Sequence, residues 1–500
     1  MVARLVALRS WSDRIDADHP RVERAATAAM DFVLRRQRSD GQLDLEGCYS
    51  PNEAGFPSAG LAAAYTELQR LDGDWSAELA EKIRRFLQRT GEALLAGQAY
   101  TANHRWAACA GPLAALHAVL PDPRYVEKIE HYLADGIDCD ADGCWYEERS
   151  VHYHDVSNHG MLLLADYFGR TDLLDHVIRN LRFLLYHAQP NGEADTSYSF
   201  RQDRGRPGEP LCSFRIARRA AIHCGDGRLL SLAMPLNEAQ LLGDNLMPLL
   251  FDLDRVPDPA PLPLTLPDRY ERHFEQIQVV RRRRGPTALT LAADRGGHFY
   301  DTVRDQWGGV RRSEDWLCLH HGQIVIQSLQ LTLPKMGAVQ PQTLLADGPD
   351  RYLLAGREAG WDHCLHFRPG SPTVRMPWDL DHEIRLHWNA DQLHVHLRCD
   401  TPKAVAATLI FWVRATAAVT QEDGKPETID AGQRVPLRGG SKVALSAGTN
   451  RIELHGLPAS EHHTEFLRPA TIPTATPEHC GRLTLGLRLP IDLKFSVRFA

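Results

Sequence analysis

The sequence predicts a multidomain chain of two unlike halves, the first all-α and the second an antiparallel β-sandwich. Three observations carry this. Apolar residues recur with the 3.6 period of amphipathic helices through the first half. A stretch with prolines at 257, 259, 261, 263 and 267 then forbids a continuing helix. Beyond it the pattern alternates with period two and turn signals are frequent. The reading is a helical domain at 1–255, a Pro-rich linker at 256–268 and a β domain at 269–500. A chain of 500 residues is also too long for one small core.

The helices follow in order. Segments near 20–37, 57–70, 105–119, 122–134, 158–169, 211–223 and 236–250 read as helical. "DWSAELAEKIRRFLQRTGEALL" puts Leu79, Ile83, Phe86, Leu87, Thr90 and Leu94 on one face, with Asp74 as a fitting N-cap. "TDLLDHVIRNLRFLLYH" does the same with Leu174, Val177, Ile178, Leu181, Leu184 and Leu185, behind Thr171. Successive helices joined by short polar loops suggest an array of αα-hairpins, without a sequence repeat that would mark a solenoid. The strands read from "QIVIQSLQLTL", "EIRLHWN", "QLHVHLRC", "VAATLIFWVRA", "RLTLGLRL" and their neighbours. "VVRRRRG" at 279–285 is expected as a solvated strand end, its charges guarding an edge.

Composition narrows the function. Apolar residues make up 43% and charged residues 24%, the ordinary globular range. The formal net charge of −7 argues against a nucleic-acid partner, while leaving room for a local basic groove facing an acidic substrate. No run of 18 apolar residues appears, so no membrane span is expected. The N-terminus lacks a signal peptide's apolar region and cleavage site, which predicts a cytoplasmic protein, or a periplasmic or secreted one if a leader has been removed. Ten scattered cysteines without a C-x-x-C pair read as free thiols.

Several polar groups stand at helix mouths and could carry chemistry. Asn103 and His104 precede an alanine-rich helix, where an N-cap is the plain role for Asn103. In "DGCWYEERSVHYHDVSNHGMLLL", Tyr153 and His154 are adjacent, His159 follows, and Glu147 and Glu148 precede them. Tyrosine beside histidine suits proton transfer, whereas H-E-x-x-H or any comparable metal-ligand spacing is missing. A polar loop at 191–210 offers Tyr198, Arg201, Arg204 and Arg206, and arginines grip carboxylates and sulfates through paired hydrogen bonds. In the β half "RGGHFYD" interrupts the strands with Gly296 and Gly297, then His298 and Tyr300. His394 and His396 share one face of a strand.

Those motifs, in this order, resemble the heparinase II/III-like polysaccharide lyases and their alginate-lyase relatives. The resemblance rests on Glu148, Ser150, Tyr153 and His154 in register before a leucine-rich helix, on Asn103-His104 upstream, and on Gly296-Gly297-His298 downstream. Tyr300 stands where the family has a second histidine. The resemblance implies an incomplete (α/α) toroid for the helical half, and β-elimination on an acidic polysaccharide or oligosaccharide containing uronic acid. It implies Tyr153, His104, His298, Asn103 and His154 as the catalytic set. Arg201, Arg204, Tyr198, Glu148, His159 and Tyr300 would bind substrate in a cleft drawing on both domains. That chemistry requires no cofactor, and no ligand spacing supports a structural divalent metal in the β half. Two alternatives stay open. One is a glycoside hydrolase pairing Glu147 or Glu148 with Glu193 or Asp195; the other is a glycan-binding protein without catalysis.

Overall fold

The computed structural model describes residues 1–11, 18–45, 48–99, 101–146, 149–199, 203–236, 260–293, 316–333, 337–358, 362–364, 373–375, 379–389, 391–422, 424–438, 440, 442–461 and 479–500. The chain forms two compact units. The first comprises Met1–Leu185 with Pro210–Leu266, and the second Tyr186–Glu209 with Pro267–Ala500.

The first unit is helical. Its helices are α1 (Val2–Ser10), α2 (His19–Arg36), α3 (Pro51–Leu68), α4 (Asp74–Ala96), α5 (Gly111–Val119), α6 (Pro123–Ala134), α7 (Val151–Tyr167), α8 (Leu174–Leu184), α9 (Phe214–Cys224) and α10 (Gly227–Ser231). A π-helix, His104–Ala110, leads directly into α5. The apolar stripes of α4 and α8 are buried as their periodicity requires. Their starts are shifted: Gly73 is the N-cap of α4, and Thr171 opens a 3-10 turn ahead of α8. Helix α3 begins earlier than its apolar pattern suggests, because Ser50 caps it and Pro51 suits a first turn. The helix expected at 236–250 lies outside the described residues, save Leu236. Within the Pro-rich stretch Leu262 and Leu264 are exposed. Leu264 donates its N–H to the Gly227 carbonyl, so this stretch is laid against α10.

The second unit holds two nine-stranded sheets. One runs through Glu427–Thr428, Ala418–Gln421, Val443–Ala447, Asn450–His455, Ile491–Phe499, Gln392–Asp400, Leu380–Asn389, Arg351–Glu358 and Thr343–Ala346. The other runs through Arg434–Pro436, Cys480–Leu489, Val405–Arg414, Ile324–Leu333, Leu317–His321, Thr287–Ala292, Val279–Arg284 and Arg269–Phe274, with Gly337–Ala338 beside Ile324–Leu333. Among the described residues pairing is antiparallel except where Arg434–Pro436 meets Cys480–Leu489. Leu380–Asn389 alternates strictly between buried and partly or fully exposed positions, the mark of a strand with one face on a core. That core joins Leu329, Leu331, Leu409 and Phe411 of one sheet to Ile384, Leu386, Val395 and Phe495 of the other.

The arginine run corrects its sequence reading. Val279–Arg284 is an interior strand, paired on both sides, and Arg281 and Arg282 are buried. Their charges are met inside the unit, Arg281 by Asp195 and Arg282 by Asp350, so they are no edge guard. Among the described residues Cys109, Cys139, Cys144, Cys224 and Cys399 are free thiols. Among the described residues no helix is long and apolar enough to cross a membrane.

Candidate active site

The Asn103–His104 pair begins the π-helix. Asn103 is buried, and its Oδ1 accepts the His104 backbone N–H at 2.7 Å and the Thr101 hydroxyl. The carbonyl side of the amide is thus turned to the backbone, and Nδ2 is its donor end. His104 is half-buried, its ring edge-on to Phe56 of α3 at 5.9 Å between centroids. The wide turn is closed by Gly111 donating its N–H to the Trp106 carbonyl. Turns of this kind recur at functional sites because they displace one residue from the regular helical path.

Two glycines fix where this π-helix sits. A Cβ on Gly160 of α7 would lie 2.3 Å from the Trp106 carbonyl carbon. A Cβ on Gly55 of α3 would lie 1.7 Å from the Ala108 carbonyl oxygen. Only glycine permits backbone to approach backbone this closely. The π-helix is therefore clasped between α3 and α7.

A hairpin at 138–146 ties the π-helix to α7 a second time. It is closed by the Cys139–Trp145 bridge and turned at Gly143, whose φ is +98°. Asp140 accepts the Gly143 and Cys144 N–H groups, both at 2.8 Å. Burial nonetheless pushes its carboxyl up to about 6. On one side Asp138 accepts from Trp106 Nε1 at 3.1 Å and from Arg105 at 3.3 Å, holding the π-helix. On the other, Trp145 Nε1 donates to Asn158 Oδ1 at 2.9 Å, holding α7. Asn158 then donates to Asn180 of α8 at 2.8 Å.

Helix α7 starts at Val151, about two turns earlier than the 158–169 segment expected from apolar periodicity. Ser150 supplies the reason: its Oγ accepts the Tyr153 N–H at 3.3 Å as an N-cap. Tyr153 is half-buried, with the His152 ring edge-on at 5.2 Å. His154, one residue on, faces the other way and is wholly buried. Its Nδ1 is 3.2 Å from Asn180 Nδ2 and its Nε2 is 3.5 Å from Cys144 Sγ. Burial lowers its pKa to about 3, despite the backbone hydrogen bond to Trp145. His154 thus corrects the catalytic set inferred from sequence: it is a neutral, enclosed member of the Trp145–Asn158–Asn180 network. Its ring has no exposed surface in this structure.

His159 is half-buried on the same helix, with Arg215 of α9 at 3.4 Å from its Nδ1. Arg215 and Arg219 share Asp166 at 2.9 and 2.8 Å. Asp155 accepts the Ser213 N–H at 2.8 Å, just where α9 begins.

Tyr198 and Arg204 belong to the second unit and are buried there, which ill suits the substrate contacts expected of them. Tyr198 packs on His187 at 4.8 Å, and His187 on Phe274. Asp195, a carboxylate the hydrolase alternative would use, is also spent on structure. It meets Arg281 at 3.1 Å, Thr290 Oγ1 at 2.6 Å and the Ser197 N–H at 3.1 Å. Burial alone would raise its pKa, but Arg281 and the hydrogen bonds outweigh burial and hold it below the usual value. Glu193 is paired with Arg414 at 2.6 Å. Glu147, Glu148, Arg201, His298 and Tyr300 lie outside the described residues. His394 faces outward and stacks near His387 at 6.0 Å, while His396 meets Asp492 at 2.7 Å. Among the described residues no group of three or more His, Cys, Asp or Glu is placed to hold a metal ion.

Sequence reasoning missed Asp138, Asn158, Asn180 and Arg215. The asparagines carried a signal: each is a polar residue set within or beside an apolar helical run, a position that demands a buried partner.

Solved structures share this fold. A heparinase III aligns over 99% of this chain and 76% of its own, with a TM-score of 0.54 and 10% identity. A mutant of the heparan sulfate lyase from Pedobacter heparinus covers 96% of this chain and 73% of its own, at 0.50 and 12%. A Paenibacillus xanthan lyase covers 95% of this chain and 56% of its own, at 0.54 and 10%. The likeness is one of fold, α/α helical hairpins followed by an antiparallel β-sandwich. No family model and no curated protein matches the sequence.

Proposed function

We propose that the chain is a polysaccharide lyase that cleaves a uronic-acid-containing glycan by β-elimination. One observation carries the reading. In a fold shared with such lyases, the element bearing Asn103 and His104 is pressed backbone to backbone against the helix bearing Tyr153, through Gly160.

In this reaction a base takes the proton from C5 of the uronate. The electron pair forms the C4–C5 double bond, the C4–O bond breaks, and the leaving oxygen takes up a proton. An ionised carboxylate beside C5 makes that proton very weakly acidic. The site must therefore neutralise it and stabilise the enolate-like intermediate. Asn103, with Nδ2 as its donor end, and His104 supply that neutralisation. Tyr153 protonates the leaving oxygen, and also takes the C5 proton where both lie on one side of the sugar. Where they lie on opposite sides, His104 or His298 is the base. His154 stays out of the proton path, since its ring is enclosed and neutral.

The test is direct. The full-length protein is offered a panel of uronate polysaccharides and oligosaccharides, and the ultraviolet absorbance of an unsaturated uronate is followed. Its appearance supports the reading. Release of reducing ends without that absorbance identifies a hydrolase and overturns it.

A further inference from the structure

We propose that Arg215 fixes His159 as an obligate hydrogen-bond donor at Nε2, and so excludes it from acting as a general base. What the donor serves rests on the lyase reading; the tautomer itself does not.

Arginine carries only donors and stays charged at any pH a protein survives. Arg215 is almost fully buried and is anchored by Asp166, which it reaches at 2.9 Å. Its other terminal nitrogen is 3.4 Å from His159 Nδ1. A donor facing Nδ1 requires a lone pair there, so the proton of the neutral ring sits on Nε2. The alternative tautomer would set an N–H against a guanidinium. Protonating the ring would add a cation where two arginines already share one carboxylate, Asp166. Burial and the Arg215 charge together lower the His159 pKa to about 3, which agrees with that geometry.

The chemical consequence is specific. A general base must offer a lone pair, and the lone pair of His159 is consumed by Arg215. Its Nε2–H can donate to a carboxylate or hydroxyl oxygen of a glycan but cannot abstract the C5 proton. Arg215 is then a positioning residue acting through His159, and the base is left to Tyr153, His104 or His298.

The experiment uses full-length protein with ring-¹⁵N-labelled histidine, His159 being assigned by its loss in His159→Gln. Long-range ¹H–¹⁵N spectra should show the Nε2–H form alone from neutral pH down through the ordinary histidine range. An Nδ1–H form, or titration near the ordinary value, overturns the proposal. In Arg215→Met the Nδ1–H form should appear; persistence of Nε2–H alone in the folded variant also overturns it. Should that variant not fold, the wild-type spectrum decides. Kinetics give a second arm. His159→Gln keeps a donor but alters a substrate contact, so its loss should fall mainly on KM with the pH profile unmoved; a fall of about 10²–10⁴-fold in kcat, as for removal of a base, overturns the proposal. If no glycan is cleaved at all, the lyase reading falls while the spectra still decide the tautomer.

Discussion

Tyr153 and His154 are neighbours in sequence and opposites in environment. Successive helical residues point about 100° apart, so one side chain lies half-exposed and the next is enclosed among Asn180, Cys144 and Phe183. Replacing Tyr153 by Phe removes the hydroxyl and little else. Formation of unsaturated product should fall by about 10²–10⁴-fold while the circular dichroism spectrum is unchanged. The enclosed pair His154 and Asp140 makes a prediction of the opposite kind. His154 stays neutral in the fold down to about pH 3, whereas the unfolded chain takes up its proton near the ordinary value of 6.5. Its contribution to stability is therefore lost as pH falls through that window. Asp140, raised to about 6, works in the other sense, since the folded form takes its proton first. Between pH 6 and 4 the two oppose each other. Asp140→Asn keeps the acceptor for the Gly143 and Cys144 N–H groups but removes the titration. Its stability should then fall more steeply on acidification in that window, by about 1.4 kcal/mol per pH unit relative to the wild type. Urea unfolding across that range, followed by helical circular dichroism, measures the difference.

At the scale of elements, the clasp of α3 and α7 on the π-helix decides how Asn103–His104 and Tyr153 are held. A methyl group at Gly160 cannot be accommodated without moving α7 away from Trp106. Gly160→Ala should cost about 1–3 kcal/mol in denaturant unfolding and lower kcat with it. A variant as stable and as active as the wild type would show that the close approach is not required. Helix periodicity made most of these elements legible: the stripes of α4 and α8 were readable because they are regular. The irregular parts were not. Nothing in "TANHRWAACAGPLAAL" distinguishes a π-helix from an α-helix, since the difference is one hydrogen-bond register set by the flanking backbones. The true start of α7 was hidden because Val151–Asn158 is polar and its stabilisation comes from the Ser150 cap and the Trp145–Asn158 bond. The motif residues could be picked out one by one, but the hairpin at 138–146 that organises them is a tertiary feature.

For the whole molecule, the legible feature was the change of texture near the prolines, and the illegible one was that the chain divides its allegiance before reaching them. After Leu185 it leaves the helical unit, contributes Tyr186–Glu209 to the β unit, and returns at Pro210. A loop of Asp, Ser, Tyr and Arg looks solvated in one dimension. Its residues 194–199, 203 and 204 are nonetheless buried, and Arg281, also misread as an edge residue, grips the loop at Asp195, the Tyr186 carbonyl and Gln189. Arg281→Met would leave Asp195 charged and enclosed, and should cost the β unit about 3–5 kcal/mol. Converting Asp195 to Leu in the same chain should recover part of that loss, because the desolvated charge is then gone. Chemical denaturation of the two variants side by side is the check. If Arg281→Met alone costs nothing, the ion pair is not what secures the loop.

The crossing at Leu185 has a consequence for how the protein is made. As the polypeptide leaves the ribosome, Asp195 emerges well before its partners: Arg281 contacts Tyr186 across 95 positions, and Thr290 contacts Asp195 across the same span. Until those residues are translated, the segment after Leu185 lacks the Arg281 and Thr290 contacts that hold Asp195, and is expected to stay open. A nascent chain stalled ahead of residue 281 should be cut by protease within 186–209, and one stalled after the β unit is complete should not. For the same reason the two units are not interchangeable cassettes. A chain ended at the prolines would carry a stretch of its neighbour with it and leave that neighbour short.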